Sequence, residues 1–315
     1  MAEIHVFDHR AVLGAITPLE ALARVRDAFS EYASGSWTMP PKVYLDAAPN
    51  GDFRAMLAKG GGLAIMKWVT SFPGNPAFRL PVVMGVVCVS SAEDGELLAL
   101  VDARAVTSLR TGAIAALAAQ ELAREDAATV GIIGCGLHGT WAAACLAAAE
   151  YGPGVCFDPN PEAAGALAEA LDWEVGSREE ALGCDVVTCV TPAQEPVVHA
   201  RDLRPGMHLS LLGADAPGKA EADVEAVRRC SLFCDEWIQA SHGGELAQAI
   251  EAGLVGREDV TELGDVISGK AKGRPAPDAI TLFDSTGLAI QDLAICHALL
   301  EVHRRGDVHA ETIHL

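Results

Sequence analysis

Basic side chains are scarce in this sequence: 23 Lys and Arg stand against 43 Asp and Glu, which gives a formal net charge of −20 over 315 residues. Nucleic-acid-binding surfaces need clustered positive charge to replace the counterions at phosphates, so this balance argues against a nucleic-acid partner. It favours a soluble protein and carries little information about the fold.

Long apolar runs are missing as well. No run comes near the roughly 20 apolar residues that a transmembrane helix needs. The first six residues lack the basic segment followed by an apolar one that marks a secretion signal. We therefore expect no membrane association and a cytoplasmic location.

The Cys-x-x-Cys spacing does not occur among the nine cysteines, which stand at positions 88, 135, 145, 156, 184, 189, 230, 234 and 296. An odd number, mostly inside apolar runs, indicates buried free thiols in a reducing compartment. His5 and His9 are isolated and show no metal-ligand spacing. The sequence therefore predicts no metal site.

Half of the residues are apolar and 5% are aromatic, which is ordinary for a globular α/β protein with a large core. The length favours two domains over one. Strands joined by short turns fill the first part of the chain: 1–7, 42–45, 53–57, 63–70, 82–90 and 97–102. Such close succession predicts an antiparallel or mixed sheet. Thr17, Pro18 and Glu20 predict a capped helix start between the first two strands.

The second part alternates between strands and helices. A helix over 104–124 leads into strand-like segments at 130–133, 155–158, 185–190, 207–212 and 231–235, with a last strand at 281–283 and a helix at 289–303. This alternation is typical of a doubly wound parallel sheet. The predicted fold class is α/β: a Rossmann sheet plus a strand-rich α+β domain.

A glycine-rich turn joins the strand at 130–133 to an Ala-rich helix. Its Gly-x-Gly-x-x-Gly spacing, in the order strand, turn, helix, predicts dinucleotide binding. Gly134 makes the turn, Gly136 lets the backbone approach a pyrophosphate, and Gly139 lets helix and strand pack closely. Leu137 and His138 lie at the helix N-terminus, where free N–H groups favour the pyrophosphate, although the His138 side chain can equally be a spacer.

Asp158 ends the second strand of this unit, about 20 residues after the glycines. A carboxylate there accepts hydrogen bonds from both ribose hydroxyls and repels a 2′-phosphate, so the predicted cofactor is NAD rather than NADP. The alternative is a surface acid in the loop after the strand.

Ligands in open α/β sheets bind beyond the carboxyl ends of the strands. Thr191 and Pro192 follow the strand-like segment at 185–190 and either contact the nicotinamide ribose or simply form a turn. Gly213 and Asp215 follow the next strand, in a glycine-rich loop. An Asx turn is the plainer interpretation of Asp215.

Lys67 is a lone cation within an apolar strand, and strand alternation places it with Ile65 and Val69 on one face. Buried Lys is rare unless it is paired, so Lys67 belongs to a strand edge or to a site. Arg110 stands early in an Ala-rich helix and could hold a carboxylate. Lys42 and Arg54, taken by themselves, are typical surface cations.

Together, several segments resemble the ornithine cyclodeaminase/mu-crystallin family and, within it, the archaeal-type alanine dehydrogenases. The resemblance covers nearly the whole chain, and its segments are 39–45, 67–69 with 73–76, 109–113, 213–219, 242–245 and 283–292.

The resemblance implies a homodimer with a substrate-binding and dimerisation domain over 1–115 and 291–315, and a Rossmann NAD-binding domain over 116–290. It implies that Lys67 is the active-site lysine and Asp215 the catalytic acid/base. Arg110 then binds the substrate carboxylate, with Lys42 and Arg54 as further cations for it. Thr111 is implied to face the cofactor phosphates, and Ser285 and Gly287 to flank the nicotinamide.

Two departures point away from ornithine as substrate. Phe53–Met56 offers no acid for a distal amine, and Gly112 stands where cyclodeaminases tend to have alanine. We therefore expect NAD-dependent oxidative deamination of a small L-amino acid or the reverse reaction on its 2-oxo acid, with L-alanine favoured. Ornithine cyclodeaminase or ketimine reductase on the same fold is the alternative, and a non-catalytic binding protein is the third.

Overall fold

The computed structural model describes residues 3–193, 195–214 and 218–314. Tertiary contacts divide the chain into two units, Met1–Arg110 with Leu288–Leu315, and Thr111–Gly287. The sequence placed these boundaries a few residues further along, at 115/116 and 290/291.

The strands, in chain order, are β1 (Glu3–Phe7), β2 (Val43–Ala47), β3 (Gly51–Gly60), β4 (Leu63–Ser71), β5 (Val83–Ser91), β6 (Leu97–Asp102), β7 (Val130–Ile133), β8 (Gly154–Phe157), β9 (Glu174–Val175), β10 (Val186–Cys189), β11 (His208–Leu211), β12 (Ser231–Cys234), β13 (Val260–Glu262), β14 (Thr281–Asp284) and β15 (Glu311–His314). The helices are α1 (His9–Ala15), α2 (Pro18–Ala33), α3 (Ala103–Leu122), α4 (Leu137–Ala148), α5 (Pro161–Leu171), α6 (Arg178–Leu182), α7 (Val224–Arg228), α8 (Trp237–Gly243), α9 (Ala247–Glu251), α10 (Leu263–Ile267) and α11 (Ala289–Arg304), with 3₁₀ turns at Asn75–Phe78, Ala200–Asp202 and Arg257–Asp259.

The first unit is built on a seven-stranded mixed sheet in the order β15-β1-β6-β5-β4-β3-β2. Strands β2 to β6 pair antiparallel with their neighbours in sequence, whereas β1 runs parallel to β6. Helix α11 packs against β3, β4 and α2. The mixed sheet was predicted. The edge strand β15 was not, because its four residues are all exposed and carry no alternating apolar pattern.

Helix α2 begins as its sequence predicts. The Thr17 hydroxyl accepts a hydrogen bond from the Glu20 backbone N–H, and the Glu20 carboxylate accepts one from the Thr17 backbone N–H. Pro18 occupies the first turn, where its missing N–H leaves no bond unmade.

The second unit contains an eight-stranded sheet in the order β13-β12-β14-β11-β10-β7-β8-β9. Neighbouring strands in it pair parallel throughout. The chain leaves β7 towards β8 on one side and continues with β10 on the other. That reversal opens a crevice beyond the carboxyl ends of the strands, which is the usual ligand position in this fold. The predicted doubly wound sheet is confirmed, although the short strands β9 and β13 were not anticipated.

The nine cysteines are free thiols and seven of them are buried, as predicted. Within the described ranges, no helix combines the length and the apolar character that crossing a membrane requires.

Candidate functional site

Lys67 lies in the middle of β4, an interior strand of the first unit's sheet. The alternation holds as predicted: Ile65, Lys67 and Val69 are buried, whereas Met66 and Trp68 are 42% and 37% exposed. Lys67 itself is only 2% exposed. Lys67 is therefore a buried residue of an interior strand and does not lie at a strand edge.

Asp292 is the partner of Lys67. Its two carboxylate oxygens lie 3.0 and 3.1 Å from Lys67 Nζ, and its side chain is completely buried. Asp292 belongs to the first turn of α11, where the helix N-terminus favours a negative charge. The residue stands within a segment that carries the family resemblance, but no local pattern marks it as the lysine's partner.

Arg110 joins the same cluster. Its Nε lies 3.8 Å from Asp292 Oδ1, and within the described residues this buried Nε has no hydrogen-bond partner. Helix α3 begins at Ala103, one residue before the predicted start, so Arg110 lies two turns inside the helix. A buried donor left over beside an ion pair is suited to an anionic ligand.

Burial lowers the pKa of Lys67 from its usual 10.5 to about 8. The Asp292 carboxylate opposes this effect, whereas the positive charges of Arg110 and Arg54 add to it. A lysine titrating near 8 can both donate and accept a proton close to neutral pH, which is what general acid/base catalysis requires.

Arg54 lies on the same face of the sheet as Lys67, because Arg54 pairs with Val69 and Met56 pairs with Lys67 across β3 and β4. It is 6% exposed, so its interpretation as a surface cation is wrong. Its Nε lies 2.6 Å from Asp52 Oδ1, and its guanidinium stands 5.5 Å from the Tyr44 ring centroid.

Lys42 directly precedes β2 and is partly buried. The structure thus brings Lys67 and the partly buried Arg110 together at Asp292. Arg54 lies on the same face of the sheet but is paired with Asp52. The structure leaves Lys42 at the end of the neighbouring edge strand.

In the second unit, the glycine loop has the geometry that a dinucleotide needs. Gly134 adopts a φ of 96°, which the tight turn requires. A Cβ at Gly139 would overlap the carbonyl oxygen of Gly134, whereas one at Gly136 would meet nothing within 4 Å. Gly136 caps α4 without a side-chain hydrogen bond. The N–H groups of Leu137 and His138 therefore begin a helix with no capping side chain, beside open space.

Asp158 follows β8 and holds this loop. Its Oδ2 accepts a hydrogen bond from the Cys135 backbone N–H at 2.7 Å, and its Oδ1 accepts one from the Asn160 N–H at 2.8 Å. The carboxylate is therefore fixed beside the glycine loop and keeps lone pairs for further donors.

Glu221 connects the turns that follow β10 and β11. Its Oε1 accepts from the Thr191 N–H at 2.6 Å and from the Thr191 hydroxyl at 2.8 Å, and its Oε2 accepts from the Gly213 N–H at 2.7 Å. Pro192, next to Thr191, is exposed. Sequence reasoning selected Thr191 and Gly213 but missed Glu221, which looks like any acid of an acidic segment.

Glu221 belongs to a group of buried acids. Glu245 accepts from the backbone N–H groups of Glu221 and Ala222 at 2.6 and 3.1 Å. The Asp284 Oδ2 accepts from the Leu246 N–H at 3.2 Å. Burial raises the pKa of both Glu221 and Glu245 above the ordinary value.

Asp235 holds the turn at Ser285–Gly287. It accepts from the Ser285 hydroxyl at 3.2 Å and from the Gly287 N–H at 2.8 Å, and the Thr286 hydroxyl also reaches it. Asp235 directly follows β12, so the rule that sites lie beyond strand ends could have found it. Thr111, the remaining predicted cofactor residue, is 3% exposed, and its hydroxyl has no hydrogen-bond partner within the described residues. Asp215 lies outside the described residues.

Comparison with known proteins identifies the family. The model of the ornithine cyclodeaminase/mu-crystallin family matches residues 5–306. The chain is 41% identical over 306 residues to the alanine dehydrogenase of Archaeoglobus fulgidus, and the match covers 95% of each.

Two solved structures have the same fold. One is an archaeal alanine dehydrogenase dimer with bound NAD, at a TM-score of 0.94 and 40% identity over 99% of both chains. The other is the Thermococcus litoralis Δ1-pyrroline-2-carboxylate reductase in complex with NADH and L-proline, at a TM-score of 0.93 and 25% identity over 98% of this chain and 100% of that one. The resemblance drawn from sequence segments is confirmed, and the chain belongs to the ornithine cyclodeaminase/mu-crystallin family.

Proposed function

We propose that the protein is an NAD-dependent amino acid dehydrogenase that converts a small L-amino acid, L-alanine above all, into its 2-oxo acid and ammonia, reversibly. The observation that carries the proposal is the buried Lys67–Asp292 ion pair with the partly buried Arg110 beside it, in a chain that also contains a dinucleotide fingerprint. The 41% identity to an alanine dehydrogenase supports the choice of substrate.

The second unit fits NAD. Gly136 stands beside open space, and α4 begins there without a capping side chain, so the loop and helix N-terminus can hold a pyrophosphate. Asp158 is the acceptor for the ribose hydroxyls, Thr111 offers a hydroxyl to the phosphates, and Ser285 and Gly287 would flank the nicotinamide. When bound, NAD would supply the acceptor for the hydride that leaves the substrate Cα.

The first unit holds the substrate. Arg110 has a buried Nε to donate to the substrate carboxylate, with Arg54 and Lys42 as further cations. Lys67, with its pKa lowered to about 8, takes the proton from the substrate ammonium group. Asp292 keeps Nζ oriented throughout. In this scheme Asp215 activates the water that attacks the imine carbon and releases ammonia.

The test supplies the purified protein with L-alanine and NAD and follows NADH absorbance and ammonia together. We expect equal amounts of NADH and ammonia, and NADP as a poor replacement because Asp158 repels a 2′-phosphate. Ammonia from L-ornithine without net NADH would instead show a cyclodeaminase.

The similarity to a pyrroline-carboxylate reductase favours imine reduction as the second candidate. It predicts rapid NADH oxidation with a cyclic ketimine acid and none with pyruvate plus ammonia. Absence of turnover in all of these assays, with NAD still bound, would leave a binding protein.

An exposed apolar face of the first unit's sheet supports a homodimer. Val43, Leu45, Leu57, Met66 and Trp68 lie on one face of β2, β3 and β4, and each is between 37% and 59% exposed. Contiguous apolar patches of this kind mark protein interfaces, and the similar archaeal alanine dehydrogenase is a dimer. We assign this face to a second copy of the chain. The nine free thiols support a reducing compartment such as the cytoplasm.

A further inference from the structure

Glu221 receives three donors from two separate turns. Thr191, after β10, gives its N–H and its hydroxyl to one carboxylate oxygen, and Gly213, after β11, gives its N–H to the other. β10 and β11 are adjacent and parallel. One carboxylate therefore connects the ends of two neighbouring strands, and both connected residues are predicted cofactor contacts.

The two turns are also in direct contact. A Cβ at Gly213 would overlap the carbonyl oxygen of Thr191 and lie 2.7 Å from the Glu221 carboxyl carbon. The backbones of the two turns thus lie against each other, and the Glu221 carboxylate lies beside both. A displacement of Glu221 would remove the acceptor that the two turns share.

Filling the space that Glu221 occupies does not require an ionisable side chain. Its side chain is completely buried, and the donors that reach it are neutral N–H and O–H groups. Burial raises its pKa and so opposes ionisation. The charged and titratable groups around it are Glu245, which accepts from the Glu221 N–H, Asp284 beyond Glu245, and the buried Cys189 thiol of β10. A neutral side chain of the same shape would fill this space without burying a charge.

We propose that Glu221 is a positioning residue that fixes Thr191 and Gly213 at the spacing which the nicotinamide half of a bound dinucleotide needs. Two N–H groups and one hydroxyl that converge on one carboxylate require an acceptor on both oxygens. Glutamine provides a single acceptor oxygen, and its NH₂ group would face an N–H donor. Glu221→Gln therefore releases one of the two turns. This inference rests on the proposed use of NAD.

The experiment measures NADH binding by fluorescence titration and backbone hydrogen exchange by mass spectrometry on the full-length protein and on Glu221→Gln. We expect roughly tenfold weaker NADH binding and faster exchange in peptides covering 188–193 and 209–214. The melting temperature should stay near that of the wild type. A merely structural role predicts the reverse, a lower melting temperature with unchanged NADH affinity.

The matched control is Glu180→Gln. The Glu180 carboxylate also accepts from a backbone N–H and a hydroxyl of one residue, Ser177, but at the start of α6. It should change exchange around 177–183 and leave NADH affinity unaltered. Should Glu221→Gln not yield folded protein, Glu221→Asp replaces it, because the shortened side chain keeps its charge and reaches only one turn.

Unchanged NADH affinity in a folded Glu221 variant would overturn the inference, as would an equal loss in the Glu180 control. If the wild type itself binds no NADH, the proposed function fails. The hydrogen exchange of the two turns then decides the inference alone, and unchanged exchange overturns it.

Discussion

The first unit buries a cation against a carboxylate, whereas the second buries a carboxylate against neutral donors. Lys67 and Asp292 neutralise one another at 3.0 Å, while Glu221 is held by the N–H and O–H groups of Thr191 and Gly213. A buried pair depends on both members, because the loss of either leaves a desolvated charge. The contacts of a buried carboxylate with neutral donors depend on the positions of those donors instead. Replacing that carboxylate with a neutral side chain leaves no uncompensated charge.

This difference suits two tasks. A lysine whose pKa lies near 8 can change its protonation state during a reaction, and Asp292 remains as its fixed counter-charge. The Glu221 contacts make no use of a proton and instead hold two turns together. Under the proposals made above, proton transfer would fall to the buried ion pair, and positioning of the turns near the cofactor would fall to the buried carboxylate.

The largest expected effect comes from removing the cation. Lys67→Met should lower turnover of L-alanine by roughly 10³-fold, since it deletes an acid/base group, while NADH binding remains. It should also destabilise the protein by about 3 kcal/mol or more, because Asp292 stays buried without its ion-pair partner. Steady-state kinetics and urea unfolding measure the two effects.

The double variant Lys67→Met with Asp292→Asn sharpens this result. It should recover most of the stability and none of the activity, because the pair is then neutral but still lacks its proton-transfer group. Recovery of neither quantity would show that packing, not charge balance, controls this part of the unit.

The pH dependence of stability should reveal the same lysine. Its pKa is about 8 in the folded chain and 10.5 ordinarily, so between these values the unfolded chain binds more protons than the folded one. Wild-type stability relative to Lys67→Met should therefore rise by about 3 kcal/mol from pH 8 to 10.5 and be level below pH 8. Unfolding free energies at several pH values test the sign, and a falling difference would contradict it.

A smaller effect is expected from Asp292→Asn alone. The carboxylate raises the pKa of Lys67, so its loss lowers that pKa further and should move the acidic limb of the kcat/KM profile to lower pH. The rate should fall by roughly 10²-fold because Nζ loses its orientation. Asp8→Asn, at the cap of α1 in the same unit, is the matched control. A limb that stays in place would reduce Asp292 to a packing role.

The smallest expected effect on turnover comes from the opposite face of the sheet. Trp68→Glu places a charge in the exposed apolar face and should weaken self-association by at least about 30-fold, with little change in cofactor affinity. Analytical ultracentrifugation of this variant and of Ile238→Glu, an exposed apolar position of the second unit, provides the comparison. Equal association of both variants and the wild type would place the interface elsewhere.

The features that depend on residues close together in the sequence were predicted correctly. The Thr17–Glu20 cap, the face of β4 that carries Lys67, and the strands of the parallel sheet follow from spacing within a few residues. The partner of Lys67 stands 225 positions away, and no periodicity connects β4 with α11. Glu221 was missed for a related reason. In the sequence it is one acid among several, and only the fold brings it into contact with the turns that follow two neighbouring strands. Arg54 shows the converse error, because a charged residue in a half-buried strand looks exposed until its ion pair with Asp52 is known.

Strand β4 serves two purposes through alternate residues, Lys67 towards the buried cluster and Met66 with Trp68 towards the exposed apolar face. Insertion or deletion of one residue inside this strand would exchange the two faces. The lysine would emerge among the apolar residues of the surface, and an apolar side chain would replace it beside Asp292. A length change in β4 would therefore alter the buried cluster and the exposed apolar face together, whereas a substitution that keeps the register can change one face and leave the other unchanged.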